Sequence, residues 1–259
     1  MMAFVRAKLE IEETAATIAA NRRFIEAAVR AIKSSRREIE RQIRRDPYFL
    51  TTFEPYDCTV KDSRVVSRMC AAAAQAGVGP MAAVAGAIAQ EALDAMVADG
   101  CSHGWVDNGG DVALILEEPV TMEVFSAPGA TTAFALELEP TVGAIGVCAS
   151  SGKLGHSISF GNADVAVAVA DSATLADALA TAIGNGVTGP ESLAHCFDPF
   201  KEIAGFVGGL AMLNGAVAIH GRIPRLIEVE HNPERITAHS KMSTQAYTGA
   251  TRPSPEVRS

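Results

Sequence analysis

Two polar residues interrupt an apolar run late in the chain, Leu175-Ala-Asp-Ala-Leu-Ala-Thr-Ala182. Asp171 or Ser172 can cap the start of this segment and Gly184 can close it in a left-handed turn, so the pattern predicts a helix. Asp177 and Thr181 then lie one turn apart on the same face. A carboxylate on a helix that is otherwise apolar needs a partner, because desolvating it alone is costly. Carboxylate and hydroxyl together offer two hard oxygens, which suit a small divalent cation such as magnesium. The plainer alternative is a buried acid satisfied by backbone donors.

Further chemistry-bearing residues precede this helix. Cys148-Ala-Ser-Ser-Gly152 and Gly155-His156-Ser157 follow in close order. His156 reads either as a core histidine or as a general base on a hydroxyl, and when protonated as a phosphate donor. Cys148 reads as a small core residue of a strand, or as an activated thiol of a sulfur-transfer protein in sulfur assimilation, carrying a persulfide or thioester. Asn108-Gly109-Gly110 is a hairpin-turn signal. Gly184-Asn-Gly186 and Gly189-Pro190 read as a loop, with backbone N–H groups that can also cradle phosphate.

The elements that must carry these residues are legible as periodicities. Residues 4–12 alternate apolar and charged side chains, a half-buried strand that turns at Glu13-Thr14 into a second strand near 15–20. Asn21 starts a long helix to about Arg45, with Ile25, Val29, Ile32, Ile39 and Ile43 on one stripe. Its other faces carry nine Lys/Arg and three Glu, read as a solvated face, with an anion- or nucleic-acid-binding face, or a structural or partner-binding role, as the alternatives. Helices are expected near 63–76 and 81–98, the second opened by Pro80. Strands are expected near 103–107, 111–117, 120–126, 132–138, 144–149, 157–160, 164–169, 216–220 and 226–230. Between 191 and 215 the pattern is mixed. Runs of strands with separate helices indicate an α+β fold. One domain is expected over 1–235, with an N-terminal hairpin and helix (1–60) and a body (61–235). The polar residues 236–259 read as a disordered tail.

Composition narrows the function classes. The 259-residue chain has a net charge of −8, is 48% hydrophobic and only 5% aromatic. The acidic balance argues against nucleic acid as the main partner of the whole surface. Residues 69–90 carry no charge, but Gly77-Val-Gly-Pro80 breaks that stretch, so no membrane span is expected. Charges at Arg6, Lys8 and Glu10 leave no signal-peptide core. Five scattered cysteines without a C-x-x-C pattern fit reduced thiols in the cytoplasm. Ala- and Gly-rich helices allow homo-oligomer contacts as readily as internal packing.

The residues above resemble a known family. Leu175–Ala182 is very similar to the A-D-A-L-A-T-A helix of the ApbE flavin transferases, which move FMN from FAD onto a protein Ser or Thr with magnesium. The resemblance implies an ApbE-like fold, an FAD nucleotide ligand, a protein acceptor, and metal roles for Asp177 and Thr181. Met81-Ala-Ala-Val-Ala-Gly-Ala-Ile-Ala89 resembles the family's D-x-G-G-I-A-K-G-Y-A helix, which implies a metal role for the Ala85 carbonyl. Ser150, Ser151 and Gly152 resemble its T-S-G and would line phosphates. Asp107-Asn108-Gly109-Gly110-Asp111 resembles its N-x-G-G-[DE] hairpin, which places Asn108, Gly109 and Gly110 at the cofactor. His156 falls at the family His and would be the catalytic base. The detail covers about residues 65–190. Glu13-Thr14, Gly77–Gly86 and Ala182-Ile-Gly-Asn185 resemble more closely still a cytoplasmic branch of this superfamily. The chain departs at Gly86, where the family has Lys, at Ala82 and Ala83 for its paired Gly, and at Ser159 and Phe160 for its Asp and Pro. Those departures make nucleotide binding without turnover the alternative activity.

Overall fold

Alternation and its consequences for burial explain the architecture of the computed structural model, which describes residues 3–58, 63–125, 131–151 and 161–231. The clearest case is the strand β8, Val165–Ala170, whose sequence Val-Ala-Val-Ala-Val-Ala is buried throughout. Its three Ala face a core formed with helices, and its three Val face a second core formed with another sheet. Small residues on one side let a helix approach the sheet closely, and larger ones on the other fill the wider gap between sheets.

Eight strands form the main sheet in the order β1-β2-β3-β4-β7-β8-β9-β10, with every neighbouring pair antiparallel. Their ranges are β1 Phe4–Ile11, β2 Thr14–Asn21, β3 Gly104–Asn108, β4 Asp111–Ile115, β7 Ile145–Ser150, β8 as above, β9 Phe206–Leu213 and β10 Ala216–Gly221. A smaller antiparallel sheet, β11-β6-β5, comprises Arg225–Glu230, Thr132–Leu138 and Val120–Phe125. It covers the valine face through Leu136 and Leu138. The helical layer covers the opposite face with α1 Arg22–Arg45, α3 Arg64–Ala76, α4 Val84–Ala98 and α5 Ala173–Gly186. Two single-turn helices, α2 Tyr48–Thr51 and α6 Pro190–Leu193, lie in the connections.

Local chemistry sets the helix ends. Asn21, Ser63 and Ser172 accept hydrogen bonds from first-turn amides of α1, α3 and α5. Gly77 ends α3 in the left-handed conformation. Pro80–Ala98, a 3-10 turn at Pro80–Ala83 followed by α4, is long and apolar enough to cross a membrane by composition. Gly86, Ala87, Ile88, Ala89, Ala92, Leu93 and Met96 are instead buried in the protein core. The Ala- and Gly-rich surfaces of α4 and α5 are thus used for internal packing.

Several expectations change. The two-residue turn is Gly109-Gly110, both at positive φ, and Asn108 is the last residue of β3, paired with Asp111. Helix α5 runs past Gly184 to Gly186, so Gly184-Asn-Gly186 is helical and not a phosphate-cradling loop. Residues 206–213, read as mixed, form the inner strand β9. Its Gly208-Gly209 pair looks like a chain breaker in sequence. A Cβ at Gly209 would stand 2.8 Å from both the Phe197 ring and the Val167 carbonyl, so close packing requires the glycine. Cys58 and Cys70 form a disulfide, which corrects the expectation of five reduced thiols; Cys101, Cys148 and Cys196 are free and buried. The expected strand at 157–160 and the tail at 236–259 lie outside the described residues.

Candidate functional site

Three elements meet where the sequence places its metal oxygens. Helix α5 starts against the sheet, held by the Cys148 thiol, which donates to the Ala173 carbonyl at 3.3 Å, and by Gln90 Oε1, which accepts from Ala173 N at 2.8 Å. Gly146 is needed here, because a Cβ would come within 2.3 Å of the Ala173 Cα. The start of α4 packs on the same turn of α5. A Cβ on Gly86 would lie 2.2 Å from the Ala173 carbonyl oxygen and 2.7 Å from the Asp177 Cβ. Glycine at position 86 is therefore imposed by helix contact, which is the physical reason a Lys cannot occupy it in this chain.

Asp177 is 8% exposed and reaches across to α4. Its Oδ2 accepts from Gly86 N at 2.8 Å, and the Ala85 amide also stabilises the ionised form. Helix α4 has no side-chain cap of its own, so Asp177 caps it from a neighbouring helix. Burial pushes the Asp177 carboxyl up to about 7, against the pull of these two amides. Thr181 follows one turn later and is also buried. Asn108 Nδ2 donates to the Ala85 carbonyl at 3.1 Å, which brings the hairpin, α4 and α5 together.

Beneath them runs a polar row across the main sheet. Asn108 pairs with Asp111 across β3 and β4, and Asp111 pairs with Cys148 across β4 and β7. The Asp111 carboxyl lies within hydrogen-bonding reach of the Cys148 thiol. Asp111 is held well above the usual carboxylate range, first by desolvation and then by the negative charge of Asp177. The Cys148 thiol is pushed well up by burial and by both acids. A fully buried, protonated thiol has the character of a structural donor and lacks that of an activated nucleophile.

The remaining candidates separate. Gly109 and Gly110 shape the turn, and Gly110 N donates to Asp107 Oδ1 at 2.9 Å. Ser150 ends β7 beside Gly184 of α5, near the site. Ser151 Oγ donates to the Asp164 carbonyl at 3.0 Å, a contact that fixes the chain end of β7. Gly152 and His156 lie outside the described residues. Sequence reasoning did not single out Gln90 or Thr174, and met Asp111 only as the acidic end of the hairpin motif. The signal for Asp111 was available: it stands two residues from Ala113 in β4, so alternation turns it to the helical core.

The donor set fits a hard divalent cation. Among the described residues, no three His, Cys, Asp or Glu side chains are arranged to hold a metal ion. A cation here would draw on the Asp177 carboxylate and the Ala85 carbonyl, which keep lone pairs beside their bonds from Gly86 and Asn108, and on the Thr181 hydroxyl. Thr174 Oγ1, one turn before Asp177 on α5, is buried without a hydrogen-bond partner among the described residues.

Comparisons with known proteins bear on the family and the fold. A family described as AbpE bacteria matches residues 2–199. A UPF0280 protein of Methanocella arvoryzae is 44% identical over 231 residues, covering 89% of this chain and 94% of its own. A UPF0280 protein of Archaeoglobus fulgidus is 40% identical over 237 residues, covering 90% and 98%. Among solved structures, the fold is similar to the ApbE protein of Thermotoga maritima, with TM-score 0.58 at 14% identity over 83% of this chain and 96% of that one. It is also similar to the flavin transferase ApbE of Vibrio cholerae, with TM-score 0.50 at 10% identity over 84% and 96%. With most of its length matched in this way, the chain belongs to the AbpE bacteria family and, with its archaeal relatives, to the UPF0280 proteins.

Proposed function

We propose that this protein binds a flavin nucleotide, FAD, through a magnesium site made by Asp177, Thr181 and the Ala85 carbonyl, and transfers FMN to a protein hydroxyl. One observation carries the reading: Asp177 is a buried acid whose charge is met by backbone amides, with no cationic side chain beside it among the described residues. Magnesium would supply charge neutralisation and orientation of the pyrophosphate. Asn108 fixes the Ala85 carbonyl, and the Gly109-Gly110 turn sets where Asn108 points. Ser150, Ser151 and Gly152 line the phosphates in this reading, and His156 takes the proton from the attacking hydroxyl. The setting in this reading is cytoplasmic.

Nucleotide binding without turnover is the second reading, favoured by Gly86, whose contacts with α5 leave no space for a longer side chain near the phosphates. Cys148 as a sulfur carrier draws no support from a thiol that is buried and bonded to Ala173. Calorimetry of FAD binding with and without magnesium, on the intact protein and on Asp177→Ala, tests the site. Magnesium-dependent binding lost in the variant supports it, whereas binding indifferent to both magnesium and Asp177 overturns it. Release of AMP from FAD then separates transfer from binding alone. Because the proton on Asp177 must leave before a cation can use that carboxylate, magnesium affinity should rise as pH passes upward through about 7.

A further inference from the structure

Charge in this chain is strongly segregated. Helix α1 carries nine Lys/Arg and three Glu within a protein of net charge −8. Arg36 is drawn inward, where it bonds Thr14 Oγ1 at 2.6 Å and pairs with Glu12, Glu13 and Glu40. Arg30 pairs with Glu26, and Arg44 with Glu40. Lys33, Arg37 and Arg41 are exposed and make no ion pair among the described residues. They stand four residues apart, in one row along the helix. That row points toward the C-terminal end of α1, where Arg44 and Arg45 are also exposed.

An apolar cluster begins just beyond. Of the eight large apolar side chains exposed among the described residues, three fall within six positions: Tyr48 at 60%, Leu50 at 48% and Phe53 at 53%. Phe49, within the same stretch, is fully buried and meets the Tyr56 ring edge-on. The chain that bears the cluster is fixed relative to the candidate site. Thr52 O lies where a Cβ on Gly79 would be, 2.0 Å from that position, so this segment rests on the start of the 3-10 turn that leads into α4. The same turn packs on α5. The other end of the row is anchored too, because Arg36 holds the β1–β2 turn, and β2 pairs Ala16 with Asn108 of the site.

We propose that Lys33, Arg37, Arg41, Tyr48, Leu50 and Phe53 form the docking surface for an acidic protein segment with apolar anchors, the segment that carries the acceptor hydroxyl. A protein segment fits better than a membrane or a nucleic acid. Either of those would present its negative charge to the acidic remainder of the chain as well as to α1, while a narrow segment meets only the basic row and its apolar end. Identity of the segment as acceptor rests on the function proposed above; the surface itself does not.

Fluorescence anisotropy with a labelled synthetic peptide, alternating Glu and Leu around one Phe and one Thr, tests this on the full chain. Vesicles of phosphatidylglycerol and a labelled single-stranded oligonucleotide serve as parallel probes. Arg37→Glu with Arg41→Glu, and separately Leu50→Ser with Phe53→Ser, should each weaken peptide binding roughly tenfold with the fold intact by circular dichroism. Added salt should weaken binding to the natural chain and act little on the charge-reversed variant. Asp177→Ala should bind peptide normally even though it loses FAD. No peptide binding, peptide binding that ignores both double variants, or vesicle or oligonucleotide binding that alone responds to them would overturn the proposal. Normal peptide binding in a protein that never binds FAD would leave the surface standing and remove the flavin reading.

Discussion

The two ends of helix α4 handle negative charge in opposite ways. Near its C-terminal half, Glu91 and Asp94 face Arg64 and Arg68 of α3, with Arg68 Nη1 at 2.8 Å from Glu91 and 2.7 Å from Asp94. Every charge there has a side-chain partner. At its first turn, Asp177 and the nearby Asp111 have backbone amides, an asparagine and a thiol around them, and no arginine or lysine among the described residues. Desolvation raises Glu91 as well, but two guanidinium groups oppose it; at Asp177 only amide dipoles do. A protein that places arginine against acids at one end of a helix withholds it at the other, which is the contrast on which the proposed cation site rests.

The contrast can be broken most forcefully at Gly86. Gly86→Ala drives a methyl group into the Ala173 carbonyl and should cost about 3 kcal/mol or more, read as a lowered denaturant midpoint. A neutral outcome would mean that the two helices are not in contact as described. Next in size is the pH dependence of stability. The folded Asp177 binds its proton up to about 7, the unfolded one only to the ordinary carboxylate value of 3.8. Between those values the native state holds more protons, so stability should fall as pH rises, by an amount on the order of a few kcal/mol at neutrality. Asp177→Asn should flatten that slope in urea titrations, and magnesium should flatten it in the natural protein.

Asp177→Asn sharpens the same point, because removing the negative charge beside it should move the Asp111 carboxyl downward, visible by carbon-13 carboxyl titration. An unchanged Asp111 would show that the two acids do not sense each other. On the arginine side the effects are smaller. Arg68→Ala should cost about 1 kcal/mol, since the pair is partly exposed, and should raise Glu91 further. Arg64→Ala, more exposed, should cost a few tenths.

Much of this was visible in the sequence because local chemistry and global position agree. The hairpin of β1 and β2, the stripe of α1 and the Ser172 cap of α5 all follow from period and capping residues alone. Asp177 and Thr181 stood out as the polar exceptions in an apolar helix. What escaped was decided by contacts distant in sequence. Strand β9 hides behind a glycine pair, of which Gly209 admits the Phe197 ring and Gly208 the backbone of Arg222 and His220. Asp111 looked like the end of a turn, and only the pairing of β4 with β7 sets it against Cys148. The Cys58–Cys70 disulfide depends on how the segment before α3 folds back, which no spacing rule encodes.

The order of strands in the main sheet has a consequence for how the protein acquires its site. Asp111 and Cys148 come together by pairing strands of moderate separation, whereas Asn108 must also pair with Ala16, near the other end of the chain in sequence. Closing long loops is slow, because chain entropy is lost before the contacts that compensate for it are made. The acids should therefore find their places before the N-terminal hairpin locks the asparagine beside them. During that interval the incomplete sheet edge at β3 is open to pairing with another chain. A nascent protein of this family is most exposed to misassembly at the strand that later carries Asn108 to the candidate site.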